Sequence, residues 1–297
     1  MIKKLPKLIV IVGPTATGKT TLSIVLAKKF EGSIVSADSR QIYKGMDIGT
    51  GKITKKEMRG IPHYLLNVAN PKRKFSVSQY QILAQKAINQ IIKQKRTPIL
   101  VGGTGFYIQA VVDNLILPEI KPDWSLRSNL EKLTTEQLFN KLKNLDKRRS
   151  ANIDPNNRRR LIRAIEIVKK TKKPIPSLLS KKTNFEPIFI GIQKSKEKIS
   201  LAIQKRLKKR LKIGMIAEVK KLKRQGVSWK RLEEFGLEYR FIAQYLQGKI
   251  DYNEMVEKIQ KESEQYGKRQ MTWFKKDKRI NWIENQKEAQ KLIKKFL

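Results

Sequence analysis

The run Gly13-Pro-Thr-Ala-Thr-Gly-Lys-Thr20 has the form G-x-x-x-x-G-K-[ST], a spacing suited to holding phosphate. Its glycines permit a tight turn that aims backbone N–H groups inward, the start of a helix adds partial positive charge, and Lys19 adds a full one. Gly13, Pro14, Thr15, Ala16, Thr17, Gly18, Lys19 and Thr20 are therefore read as a diphosphate cradle, with the Thr20 hydroxyl as a ligand for Mg²⁺. The rival reading is a glycine turn beside a solvated lysine. P-loop enzymes that hydrolyse nucleotide usually hold their metal with an acid from a downstream strand. The best downstream strand here, Ile99 to Val101, runs into Gly102-Gly103 with no acid. Attention passes to Asp38, which closes the apolar run Ser33 to Ala37. A carboxylate at the carboxyl end of a strand beside the cradle faces the crevice where open α/β sheets bind ligands. The plainer reading of Asp38 is a turn or helix-cap aspartate.

Composition limits what else is available. The 297 residues hold 66 Lys plus Arg against 26 Asp plus Glu, one His and no Cys, for a net charge of +40. Disulfides, thiol nucleophiles and cysteine metal sites are excluded, and His63 alone builds no multi-His centre, so a metal must sit on oxygen ligands. Such a charge fits a polyanionic partner. Its 48 lysines against 18 arginines equally fit compositional drift, so clustered arginines carry more weight than the total. The opening Met1-Ile-Lys-Lys and the five-residue apolar run Leu8 to Val12 are too short for a signal peptide, and no segment approaches the roughly 20 apolar residues of a membrane span. A cytoplasmic, membrane-free monomer is expected.

The elements that must position these residues follow from periodicity. Leu8 to Val12, Ser33 to Ala37, Pro98 to Val101 and Pro187 to Ile190 are apolar, partly β-branched runs bounded by turn residues, the pattern of buried parallel strands. Thr20 to Phe30 has helical spacing, and Ser76-Val-Ser-Gln79 offers a capping box to a second helix. The alternation predicts an α/β fold: a P-loop core with a parallel sheet and flanking helices. From about Asp113 the character turns helical and densely charged. Residues 1–112 are read as the first part of the core, 113–185 as an all-helical insertion, and 186–297 as completion of the core with helices to the end. Within the insertion, Asp154-Pro155 is expected to cap a helix with Leu161, Ile165 and Val168 as its apolar stripe.

Several runs in order resemble the tRNA dimethylallyltransferase (tRNA isopentenyltransferase) family, bacterial type. They are the Gly13 to Thr20 loop, Asp38-Ser-Arg-Gln-Ile-Tyr-Lys-Gly-Met-Asp-Ile-Gly-Thr50, Pro62-His63, Gly102-Gly-Thr-Gly-Phe-Tyr107, Arg160-Leu-Ile-Arg-Ala-Ile-Glu166 and Lys268-Arg-Gln-Met-Thr-Trp-Phe274. The resemblance spans nearly the whole chain. It implies transfer of a dimethylallyl group from dimethylallyl diphosphate to the exocyclic amine of the adenosine 3′-adjacent to the anticodon in tRNA, with Mg²⁺ and release of diphosphate. It implies that Asp38 is the base, that Lys19 and Arg206 stabilise the departing diphosphate, and that Asp38, Ser39, Arg40, Gln41 and Thr104 meet the target nucleotide. Arg127, the Arg159, Arg160, Leu161, Ile162, Arg163 stretch, Lys268 and Arg269 are implied as tRNA contacts around the anticodon stem-loop. For Arg206 and the arginine helix, a solvated face is the competing reading.

Departures from the family pattern are visible. Relatives usually carry an acid where Asn157 stands, Ala-Lys-Pro where Gly51-Lys-Ile53 stands, and arginines near Lys196 and Ala202. Three other functions use part of the same residues. A P-loop small-molecule or nucleotide kinase would place ATP in the cradle, an isopentenyltransferase acting on free adenine nucleotides would need no basic insertion, and a non-enzymatic RNA-binding protein would need no cradle.

Overall fold

The computed structural model describes residues 5–118, 120–176 and 179–297, so the Met1 to Lys4 opening lies outside the described residues. In chain order the elements are β1 (Lys7–Val12), α1 (Lys19–Lys29), β2 (Gly32–Ala37), α2 (Lys55–Met58), β3 (His63–Tyr64), α3 (Val77–Lys93), β4 (Thr97–Gly102) and α4 (Gly105–Val112). Then come α5 (Trp124–Glu131), α6 (Thr135–Leu145), α7 (Lys147–Ala151) and α8 (Arg158–Thr171). The chain closes with β5 (Glu186–Ile192), α9 (Lys196–Lys212), α10 (Met215–Arg224), α11 (Trp229–Phe235), α12 (Leu237–Leu246), α13 (Tyr252–Phe274), β6 (Ile280–Ile283) and α14 (Gln286–Phe296).

Among the described residues the strands form one six-stranded sheet in the order β3-β2-β4-β1-β5-β6, with every pairing parallel. Both faces of a parallel sheet are covered, and β1 reads accordingly as an unbroken apolar run. Leu8, Val10 and Val12 pack on one side with α3, α4 and residues of α10 to α13, while Ile9 and Ile11 pack on the other with α1 and α14. Each such side chain stabilises the fold by about 1.5–3 kcal/mol on burial, which fixes the sheet's register firmly. Because the helices after β1 and β4 lie on opposite faces, the loops leaving these adjacent strands diverge. That divergence opens a crevice at the carboxyl edge.

The chain divides into two compact units, one running up to Asn114 and resuming at Lys182–Leu297, the other Leu115–Lys181. The second is helical and has its own core of Leu130, Leu138, Leu142, Ile153, Leu161, Ile162, Ala164 and Ile165. Its bounds are narrower than 113–185, because Asn114 and Thr183 hydrogen-bond within the first unit, to Lys182 O and Val112 O.

Two local expectations need correction. The chain does not stay helical after β5, since Ile280–Ile283 adds an edge strand too short and too mixed in polarity to stand out. The helix expected at Asp154-Pro155 begins at Arg158 instead. Asn157 caps it through the Arg160 N–H, while Asp154 accepts from Asn156 N in the preceding turn. No helix among the described residues is long and apolar enough to cross a membrane.

Candidate active site

Three loops meet at the carboxyl ends of β1, β2 and β4. In the first, Gly13 has φ +147°, and a Cβ there would lie 2.6 Å from Ile192 O, so only glycine permits the turn. The Thr17 hydroxyl and the Lys19 ammonium both donate to Pro14 O, at 2.9 and 2.6 Å, which folds Lys19 back across the loop. Thr20 follows at the first turn of α1 with its side chain exposed. From α13, Gln270 accepts from Thr15 N at 2.8 Å and donates to Gly103 O at 2.9 Å, tying the β1 loop to the β4 loop.

Asp38 satisfies its plain reading and exceeds it. Its Oδ1 accepts from Arg40 N at 2.9 Å and Gln41 N at 3.2 Å, closing the turn after β2. Among the described residues no donor reaches Oδ2, so that oxygen is available to a proton. Thr104 Oγ1 accepts from Ser39 N at 3.0 Å, which links the Asp38 turn to the β4 loop. Gln41 extends its amide towards Thr50 O and Gly51 O at 3.4 and 3.5 Å. From α9, Arg206 donates to Thr15 Oγ1 at 3.4 Å, placing its charge beside the cradle.

Thr15 to Thr20, Asp38, Gln41, Arg206, Tyr266 and Gln270 border one cavity of about 480 Å³, in the size range of small-molecule sites. Ile24, Ile34, Ile53, Leu66 and Val101 give part of its wall an apolar surface. Burial drops the Lys19 pKa to about 7; the positive charge of Arg206 adds to the fall and the negative charge of Asp38 opposes it. The Arg206 pKa is likewise lowered, by burial and by neighbouring Arg210. This pocket disfavours positive charge and so gains most from an anion. Arg40 borders a smaller adjoining cavity with Arg206 and Arg210, and its guanidinium lies 5.4 Å from the Tyr266 ring centre. Buried Glu238 balances that cluster, 2.9 Å from Arg210 and 3.9 Å from Arg40.

The insertion's residues are placed differently from a simple solvated arginine face. Arg127 binds fully buried Glu166 in a two-bond fork, Nε to Oε1 at 2.8 Å and Nη2 to Oε2 at 2.6 Å, and Arg163 donates to the same Oε2 and to Ile120 O. Burial alone would raise the Glu166 pKa; the hydrogen bonds from Arg127, Asp123 N and Arg163 outweigh it and hold it at about 2. Arg159 and Arg160 are exposed on α8. Leu161 and Ile162 are corrections, because both are buried in the insertion's core and their side chains cannot reach a polyanion. Lys268 and Arg269 are exposed on α13, the latter 2.7 Å from Glu262.

Sequence reading passed over Gln270, Tyr266, Glu238 and Glu218. For Gln270 a signal existed: it lies on the buried α13 face with Ser263, Gly267 and Phe274, where a polar side chain needs a partner.

The fold and site define an α/β protein whose glycine loop and carboxylate share one crevice. The family model for IPP transferase matches residues 41–277, a stretch that starts just after Asp38 and the glycine loop. A tRNA dimethylallyltransferase of Acetivibrio thermocellus is 42% identical over 284 residues, covering 93% of this chain and 90% of its own. The crystal structure of tRNA delta(2)-isopentenylpyrophosphate transferase from Staphylococcus epidermidis has a TM-score of 0.72 at 38% identity, over 98% of this chain and all of that one. A eukaryotic dimethylallyltransferase acting on tRNA gives 0.73 at 26% identity, over 90% of this chain and 69% of that one. The chain belongs to the IPP transferase family.

Proposed function

We propose that this protein transfers the dimethylallyl group of dimethylallyl diphosphate to the exocyclic amine of the adenosine 3′-adjacent to the anticodon of a tRNA. The observation that carries the reading is that an anion cradle and a carboxylate with a spare oxygen border the same cavity. The amine lone pair attacks the allylic carbon, the carbon–oxygen bond breaks with its electron pair leaving on the diphosphate, and Asp38 takes the amine proton. Lys19, Arg206 and the loop N–H groups meet charge that grows on the departing diphosphate. A base in an anticodon loop reaches such a crevice only when unstacked, and in this reading the Asp38 to Gln41 turn with Thr104 receives it. Among the described residues no trio of His, Cys, Asp or Glu is clustered to hold a metal. The accessible Thr20 hydroxyl fits Mg²⁺ bound chiefly by diphosphate oxygens, where the ion would neutralise leaving-group charge. Exposed Arg159, Arg160, Lys268 and Arg269 are the candidate backbone contacts.

Incubation with Mg²⁺, labelled dimethylallyl diphosphate, and tRNA or AMP tests this reading. Label in tRNA alone is expected; label in AMP would favour the free-nucleotide enzyme, and phosphoryl transfer from ATP would favour the kinase.

A further inference from the structure

Between the target-base turn and the cavity's apolar wall lies a hydrogen-bonded turn, in which Gly51 N bonds Ile48 O at 3.0 Å and Lys52 N bonds Asp47 O at 2.9 Å. Its three leading N–H groups point one way, and such a row of donors is a natural seat for an anion. The anion is internal. Glu218, on α10, accepts from Asp47 N at 2.8 Å and Ile48 N at 2.7 Å through Oε2, and from Gly49 N at 3.0 Å through Oε1. The hydroxyl of fully buried Tyr239 donates to the same Oε1 at 2.6 Å. Buried Met215, Val219 and Leu222 fix α10 itself in the core, so the carboxylate is a rigid anchor.

What the anchored turn touches gives the carboxylate a consequence for the reaction. Thr50, Gly51 and Ile53 line the cavity, and the Thr50 and Gly51 carbonyls receive the Gln41 amide. Gly51 sits directly against Arg206, where a Cβ would stand 2.6 Å from Nη2. Arg210, the next turn of α9, donates to Gly49 O at 2.6 Å. Lys52 ties the far end down by donating to Tyr43 O, Asp47 Oδ1 and Asn67 Oδ1 at 2.8, 2.7 and 2.6 Å. We propose that Glu218 is a positioning residue for dimethylallyl transfer: by capping Asp47, Ile48 and Gly49 it holds the turn that sets both Arg206 and Gln41. The inference rests on the functional reading above.

Glu218→Gln is the informative change, because the amide keeps the size but turns one N–H donor against main-chain donors. With intact protein, kcat and KM for transfer to tRNA are measured beside amide hydrogen exchange of residues 47–53. The expected result is a kcat lowered about tenfold or more, a KM for dimethylallyl diphosphate within about threefold, and faster exchange confined to this turn. Tyr239→Phe removes one of four donors and should give the same pattern with a smaller loss. It also carries the test should the Gln variant unfold. An unchanged kcat in a variant whose turn exchanges faster would overturn the positioning role alone. A wild-type protein that transfers nothing would overturn the functional reading and this role with it.

Discussion

Lys19 shows how a single site residue links charge to binding. With its pKa at about 7 it is largely neutral at pH 8. A bound diphosphate favours the ammonium form and lifts that value, so binding must take up a proton. The sign is fixed: the complex holds more protons than the free protein, and affinity therefore falls as pH rises from 7 towards 9. Calorimetry at pH 8 in buffers of different ionisation enthalpy should record uptake of close to one proton per dimethylallyl diphosphate, abolished in Lys19→Met. Uptake unchanged in that variant would place the proton elsewhere. Asp38 is the complementary case, because its turn-closing and proton-accepting readings need different oxygens and both are compatible. Composition directed attention to oxygen and nitrogen chemistry, yet the partners that hold each group were not readable. Gln270 lies 255 residues beyond Thr15 and 167 beyond Gly103, and Glu238 comes from α12, far along the chain from the Arg40 it meets.

At the level of elements, α8 carries the clearest revision. Spacing put Arg159 and Arg163 on one polar face, but Glu166, three residues after Arg163, draws that arginine and Arg127 inward. Breaking a buried pair of this kind costs about 3–5 kcal/mol, so Arg127→Ala should destabilise the insertion. Glu166's contribution is present above its ordinary pKa near 4.5 and fades as pH falls towards 2; acid melting of Glu166→Gln should lack that loss. An acid transition identical in wild type and variant would show that Glu166 does not supply it. Arg160→Ala is then the cleaner probe of RNA contact. If it touches one phosphate, the slope of log affinity for tRNA against log salt should shrink by roughly 0.7–0.9, whereas an unchanged slope would make it a solvated side chain. The four long strands and α1 and α3 were readable from apolar runs and the Ser76 to Gln79 capping box, since local rules and packing agree there. The two-residue β3 and the edge strand β6 gain their character from neighbours in the sheet, which periodicity does not report.

Across the whole molecule, a few well-partnered acids organise part of the positive charge. Glu166 and Glu238 each gather two arginines, and Glu218 gathers main-chain donors. The remaining excess of a +40 chain raises the rate of encounter with any polyanion and falls away with salt, so it confers attraction without selecting an acceptor. Selection has to come from the crevice. The central claim is that Asp38 takes the proton from an adenosine amine while the diphosphate, held in the cradle beside it, departs from the allylic carbon. Single-turnover transfer to tRNA by Asp38→Asn measures it most directly, because the asparagine Oδ1 still accepts from Arg40 and Gln41 N–H and keeps the turn. A transfer rate lower by about 10²-fold or more, with tRNA affinity near that of the wild type and label on the adenosine 3′ of the anticodon, is the predicted result. A rate near that of the wild type would contradict it and leave Asp38 as the closing residue of a turn.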